Sequence, residues 1–422
     1  MAASDASKKG KFAILVGGGP APGLNGVISA ATIEAINNGY EVVGIMEGFK
    51  WLSEGDTSHV QDLTIQDVSR IHLQGGSILR TSRTNPTKSD AMMQNVMTSL
   101  EKLGVGYLIT IGGDDTAYSS SQISKYAGGK LKTAHVPKTI DNDLPLPGLV
   151  PTFGYMTARH LGVGIVKSLS EDARTTGRWY FVVAMGRTAG HLALGIGKSA
   201  GATLTIIPEE FEDRPVTITE VCDILEGSIV KRLAMGRDFG VAILAEGLAA
   251  RISEDELAKF GTVEHDDHGH IRLSEINLGQ VCKEQVRKSL ESRGIKLTIV
   301  NKDLGYELRS ADPGPYDLEY TRDLGYGAVK YLLSGGPGAL ITMQAGMLEP
   351  IAFDEILDPE THRTQVRLVD VHHEAFEVAC KYMIRLQPED MATDEDVHTL
   401  AAAAHMEPDA FRARFQYLEA KP

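Results

Sequence analysis

Residues 12–37 read FAILVGGGPAPGLNGVISAATIEAIN, and they decide the fold. A short apolar run, residues 12–16, ends on Gly17, Gly18 and Gly19. After Pro22 and Gly23 comes a helix-like stretch of small and apolar residues, stopped near Gly39, and residues 41–45 (EVVGI) read as the next strand. Strand, glycine turn, helix and strand in that order predict a parallel sheet covered by helices.

The alternation continues. Met93, Val96, Met97, Leu100 and Leu103 recur at helical spacing, and Gly104 stands where a helix-ending glycine belongs. Residues 107–111 form a buried-type strand that stops at Gly112 and Gly113, and residues 179–184 form another that stops at Met185, Gly186 and Arg187. Residues 204–207 and 239–245 are further strands, the second ended by Glu246 and Gly247. Thr217 and Glu220 have capping-box spacing for a helix running to about Met235. A single core stops growing near ~250–300 residues, so a chain of 422 predicts at least two domains. The expected class is α/β, with two doubly wound domains and helices at residues 397–404 and 410–418 forming a C-terminal extension from residue 388. The Pro- and Gly-rich residues 149–153 mark the first change of domain.

The net charge of −14, from 42 basic and 56 acidic residues, argues against binding nucleic acid or an anionic membrane surface. Anionic ligands would need local Arg and Lys groups. Cys222, Cys282 and Cys380 are far apart, form no CxxC, and read as reduced thiols. A polar start without an apolar signal core, and no run of ~20 apolar residues, predict a cytoplasmic protein. Residues 264–270 (EHDDHGH) read as a solvated loop in preference to a metal site.

In open parallel sheets, ligands collect at the carboxyl ends of strands, where glycines let backbone N–H groups approach phosphate. Residues 17–22 (GGGPAP) are neither a GxGxxG turn, since Pro22 stands at the last glycine, nor a Walker loop, since no GK[ST] follows. That disfavours a nicotinamide-dependent dehydrogenase. Residues 112–116 (GGDDT) place Asp114 and Asp115 beside glycines suited to phosphate. Two acids there repel phosphate unless a divalent cation lies between, so Asp114 reads as a Mg2+-facing group; a simple Asp-Gly turn is the other reading. Residues 137–143 (PKTIDND) place Thr139, Asp141 and Asp143 on one side of an extended segment, with Lys138, Ile140 and Asn142 on the other. Asp141 is the candidate general base for a sugar hydroxyl, and an Asx-turn cluster is the alternative. Arg80, Arg83, Arg178, Arg187, Arg309 and Lys138 are cations that could converge there.

Together GGGPAPGLNG (17–26), GGDDT, PKTIDND, MGR (185–187), Glu246 and GYELR (305–309) resemble the phosphofructokinase family, in order and at family-like spacing from about residue 11 to 387. The resemblance implies two Rossmann-like domains with the active site in the cleft between them. Residues 11–152, completed by part of 304–345, would bind donor and Mg2+, and residues 153–303 would form a smaller sugar-phosphate domain. It implies that Gly19 and Arg83 meet the donor and Asp114 holds Mg2+. Thr139, Ile140 and Asp141 would touch the sugar phosphate, with Asp141 as base on the 1-hydroxyl. Met185, Gly186, Arg187, Glu246, Tyr306, Glu307, Leu308 and Arg309 would bind the sugar, Arg309 towards its 6-phosphate. Arg178 would reach the sugar phosphate of an adjacent subunit, which implies a homodimer or homotetramer.

Relatives that use ATP usually carry glycine at the places held here by Asp115 and Lys138. Asp115 puts bulk and negative charge where the α-phosphate of ATP would lie. Lys138 offers a cation to a donor that brings no adenosine, and with Arg187 is a candidate for stabilising the moving phosphoryl group. Pro20 departs from the acid that many relatives carry after the two glycines, and it removes a backbone N–H that could meet phosphate. The resemblance therefore implies reversible phosphoryl transfer from pyrophosphate to fructose 6-phosphate, in glycolysis and gluconeogenesis. An ATP-dependent 6-phosphofructokinase and a non-catalytic, sugar-phosphate-binding regulatory subunit are the alternatives.

Overall fold

The computed structural model describes residues 9–148, 150–211, 214–258, 277–361 and 363–419. Leu149, in the expected domain boundary, and the loop 264–270 lie outside the described residues. The chain forms two compact units: Met1–Ala158 with Tyr306–Arg367, and Arg159–Gly305 with Leu368–Pro422.

In the first unit, strands β1 (Lys11–Val16), β2 (Glu41–Ile45), β4 (Val105–Gly112) and β5 (Lys132–Thr139) run parallel, in the order β5-β4-β1-β2. Antiparallel β3 (Val60–Asp62) closes one edge. Ala339–Leu340 and Ile351–Ala352 extend the other, and β6 (Phe153–Gly154) pairs with the end of β5. Phe12 to Val16 are all fully buried, as expected for a central strand covered on both faces. Helix Leu24–Asn37 packs with Pro315–Leu333, and no side chain fits at Gly26 because a Cβ there would lie 2.2 Å from Thr321 Oγ1.

The register places the functional turns. Val16 of β1 is level with Ile111 of β4, and Gly112 of β4 is level with Pro137 of β5. The turns after β1 and β4 and the end of β5 therefore share one sheet edge, the carboxyl edge.

The second unit has a parallel sheet in the order β10-β7-β9-β8, formed by β7 (Arg178–Ala184), β8 (Leu204–Ile206), β9 (Gly240–Ala245) and β10 (Thr298–Leu304). Ala184 is level with both Ala245 and Leu304, so Met185, Glu246 and Gly305 leave the sheet side by side. Trp179 is fully buried and occupies the space beside Gly240, where a Cβ would come within 2.6 Å of the indole ring. Thr217 caps helix Ile218–Ala234 by accepting from the Glu220 amide. The reciprocal half of the capping box is missing, because the Glu220 carboxylate is taken by Arg214, at 2.5 Å and 3.0 Å.

The C-terminal helices, Asp394–Ala404 and Pro408–Phe415, pack into this unit. Val397, Leu400, Phe411 and Phe415 share one apolar cluster with Val230 and Leu386. Arg414 donates at 2.9 Å to both Asp223 and Glu226, and Arg293 also pairs with Glu226.

Candidate active site

At the carboxyl edge of the first unit, the turn after β1 is fixed on three sides. The Gly17 amide donates to the Ile111 carbonyl at 2.8 Å, and the Gly18 amide donates to the Ser82 carbonyl at 2.9 Å. Thr81 Oγ1 donates to the Gly18 carbonyl at 2.5 Å. This last pair, not visible in the sequence, brings the 81–83 segment and its exposed Arg83 beside the glycines. Gly18 has φ +79°, a conformation that favours glycine. Thr116, in the first turn of helix Asp114–Ala127, excludes side chains at two glycines. A Cβ at Gly17 would lie 2.4 Å from its Oγ1, and one at Gly112 would lie 2.3 Å from its Cβ.

Two cations face this turn. A side chain at Gly18 would place its Cβ 3.3 Å from Lys138 Nζ, and one at Gly19 would lie 3.4 Å from Arg309 Cζ. Lys138 is the penultimate residue of β5 and is only 5% exposed. Burial lowers its ammonium to about 8, and the Arg309 charge adds to that; Asp141, Asp114 and Asp143 act the other way. The neighbouring His135 is fully buried between Thr110 Oγ1 and the Gly112 carbonyl, and burial holds it neutral at about 3. The guanidinium of Arg309, expected near a sugar 6-phosphate, thus lies against Gly19. Leu308, within the same short helix Tyr306–Arg309, is fully buried and anchors it, while Tyr306 and Glu307 are exposed.

Asp114 and Asp115 are half-buried in the first turn of their helix, where the helix dipole favours acids. Among the described residues, no group of three or more His, Cys, Asp or Glu could hold a metal ion alone.

The PKTIDND segment is extended only as far as Thr139. Asp141 donates its amide to Thr139 Oγ1 at 3.0 Å, and Asn142 turns left-handed at φ +59°. The strict alternation expected from the sequence therefore fails, because short polar side chains capture the local backbone. Ile140 is 3% exposed and Asp141 9% exposed.

The second unit presents its own turn. Met185 donates its amide to the Leu304 carbonyl at 2.9 Å, and the Gly186 amide donates to Glu246 Oε2 at 3.3 Å. A Cβ at Gly247 would lie 2.9 Å from the Arg187 carbonyl oxygen. Glu209, overlooked in the sequence, accepts from the amides of Gly190 and Val369 at 2.8 Å and 3.0 Å, which fixes the residues following the half-buried Arg187. Burial raises the Glu209 carboxyl above the usual carboxylate range. Arg178 opens β7, with Nε 3.6 Å from Asp172 Oδ2.

Glycine turns, acids and a buried lysine at the carboxyl ends of parallel strands are the features by which α/β proteins hold phosphate. The chain belongs to the phosphofructokinase family, whose model, described as Phosphofructokinase, matches residues 11–332. It is 54% identical to the pyrophosphate–fructose 6-phosphate 1-phosphotransferase of Thermotoga maritima, over 98% of this chain and 99% of that one. It is 52% identical to the protein of the same name from Naegleria fowleri, covering 96% and 95%. The fold matches the crystal structure of a pyrophosphate-dependent phosphofructokinase from Nitrosospira multiformis at a TM-score of 0.67 and 15% identity, over 94% of this chain and 92% of that chain. It also matches the phosphofructokinase of Pichia pastoris at a TM-score of 0.65 and 20% identity, spanning 98% of this chain but only 39% of that one. Among the described residues no helix is long and apolar enough to cross a membrane.

Proposed function

We propose that this protein transfers a phosphoryl group from pyrophosphate to the 1-hydroxyl of fructose 6-phosphate, reversibly, giving fructose 1,6-bisphosphate and phosphate. The observation that carries the donor assignment is the buried Lys138 ammonium facing the Gly18 turn, with Arg309 against Gly19. Two cations crowd a turn whose glycines leave room for phosphate oxygens and no side chain. A bare diphosphate satisfies both cations without any adenosine contact. Asp115, in the next turn, adds bulk and negative charge against a longer donor. The names carried by the relatives from Thermotoga maritima and Naegleria fowleri support the same reading.

In this reading Asp141 accepts the proton of the 1-hydroxyl, which makes the oxygen a better nucleophile as it approaches phosphorus. The amide-to-Thr139 bond and the left-handed Asn142 fix where Asp141 points. Lys138 and Arg187 stabilise charge on the transferring group, and Gly19 and Arg83 position the donor. Thr139 and Ile140 contribute on the acceptor side. Met185, Gly186, Arg187, Glu246, Tyr306 and Glu307 bind the sugar; Leu308 acts through packing. One carboxylate, Asp114, fits Mg2+ when the ion is shared with the donor's phosphates, since Mg2+ takes few protein ligands and keeps the rest as phosphate or water. When bound, the ion would neutralise charge on those phosphates. Arg178 serving an adjacent subunit would make the active form a homodimer or homotetramer; the cytoplasmic setting rests separately on the reaction's place in glycolysis and gluconeogenesis.

Initial rates with fructose 6-phosphate test the donor. Pyrophosphate should support turnover well above that with ATP; equal or faster turnover with ATP overturns the assignment. Asp141→Ser should lower kcat by about a hundredfold or more, with an unchanged circular dichroism spectrum. Near-normal turnover would remove Asp141 from the base role.

A further inference from the structure

We propose that residues 364–367 form a strap that positions the two acidic turns, with Arg367 as its principal positioning residue. The segment follows the region matched by the family model, which ends at residue 332.

Arg367 is largely buried, and each of its guanidinium nitrogens is engaged by the loop that follows Asp141. Nε donates to the Asn142 carbonyl at 3.1 Å, and Nη2 donates to Asn142 Oδ1 at 2.5 Å. Nη1 donates to the carbonyls of Leu146 and Val150, at 3.1 Å and 2.8 Å. The Arg367 amide adds a bond to the Asp143 carbonyl at 2.7 Å. Three residues earlier, the buried Thr364 Oγ1 donates to the Asp114 carbonyl at 3.1 Å. One short segment therefore holds the backbone at Asp114 and on the far side of Asp141.

Asn142 is the turning point of the loop. Asparagine tolerates φ +59° better than other non-glycine residues but does not require it, so the partners of its side chain and carbonyl select this conformation. Asn142 is held from both sides, by Arg367 and by the Thr152 amide, which donates to Asn142 Oδ1 at 3.0 Å. A planar guanidinium spans carbonyls in different directions as an ammonium cannot. Without it, Asn142 keeps only its bond from Thr152 and can relax towards the extended form, taking Asp141 with it.

The idea rests on the phosphotransferase reading, so the test includes a measurement independent of turnover. Hydrogen–deuterium exchange of Arg367→Ala, without substrates, should rise in peptides spanning 139–150 and stay unchanged in β1 and β4. In the assay, kcat should fall about a hundredfold, as for a misplacement of about 1 Å, while KM for fructose 6-phosphate stays within about threefold. Millimolar guanidinium should restore part of kcat to Arg367→Ala and none to wild type, and Arg367→Lys should fall between the two. Should Arg367→Ala fold poorly, Thr364→Val removes one hydroxyl at nearly constant volume and should lower kcat by about threefold to tenfold. Unchanged exchange at 139–150 overturns the strap, as does raised exchange with kcat kept within twofold. An inactive wild type with raised exchange in the variant overturns the phosphotransferase reading while supporting the strap's hold on the loop.

Discussion

Raising the pH should weaken diphosphate binding through one side chain. The Lys138 ammonium titrates at about 8, against an ordinary value of 10.5, chiefly because it is buried and secondarily because Arg309 repels it. A diphosphate beside it brings several negative charges and keeps the proton on the amine to much higher pH. Well below pH 8 the donor meets a charged lysine and no proton moves. At pH 8 binding should take up about half a proton, and at pH 9 about nine-tenths. The same linkage lowers affinity by about twofold at pH 8 and about tenfold at pH 9, relative to the low-pH limit. His135 stays neutral throughout, so it does not confuse the count. Pyrophosphate has its own late ionisation, which cancels in the ratio of wild type to Lys138→Met. Calorimetry of magnesium-saturated pyrophosphate on wild type and Lys138→Met, in two buffers of different ionisation enthalpy, reads the lysine's proton uptake as the difference between the two proteins. For stability the sign is opposite to that of a stabilised cation. The folded value lies below the unfolded one, so the ligand-free protein gains stability as pH rises from about 8 to about 10.5, by up to about 3 kcal/mol. Lys138→Met should accordingly raise Tm at neutral pH while lowering turnover with pyrophosphate by about a hundredfold. Equal pH slopes of affinity in the two proteins would refute the reasoning.

Gly17→Ala and Gly112→Ala should each lower Tm and activity, because both clash with Thr116, but only the first should be rescued. Thr116→Ala removes the Oγ1 and Cγ2 that crowd Gly17 and keeps the Cβ that crowds Gly112; equal rescue of both in thermal melts would contradict the packing described. Asp115→Gly combined with Lys138→Gly should reduce kcat/KM for pyrophosphate by about a hundredfold, without making ATP a good donor; a large gain with ATP would mean that these two residues alone select the donor. Removing residues 388–422 uncovers Val230 and leaves Asp223 and Glu226 without Arg414, so the shortened chain should aggregate on heating well below the full chain's Tm. Light scattering during a temperature ramp reads this, and an unchanged onset would mean that the C-terminal helices contribute little to the second unit.

What could be read from sequence follows a physical division. β1, its glycine turn and the helix after it were legible because a strand covered on both faces is continuously apolar and because glycines punctuate it. Asp114, Lys138 and Asp141 stood out as candidates because unlike charges beside glycines have few structural uses, and the structure does set the Lys138 ammonium against the Gly18 turn. The reason for the glycines was not legible: Thr116 excludes a side chain at Gly17, 99 positions earlier, only because the register sets β1 and β4 level. The strict alternation expected along residues 137–143 fails for a related reason. Alternation assumes that the backbone stays extended, whereas Thr139 captures the Asp141 amide and Asn142 turns left-handed. Local side-chain bonds of this kind are permitted by the sequence but selected by distant partners, here Arg367 acting on Asn142 from 225 residues away. Arginine 367 sits in a stretch with no helical or strand periodicity to mark it. Charged residues beside glycine turns thus announce themselves by composition, while those that hold the backbone around them are set by the closure of the chain on itself, and a search confined to motifs will find the first kind and miss the second.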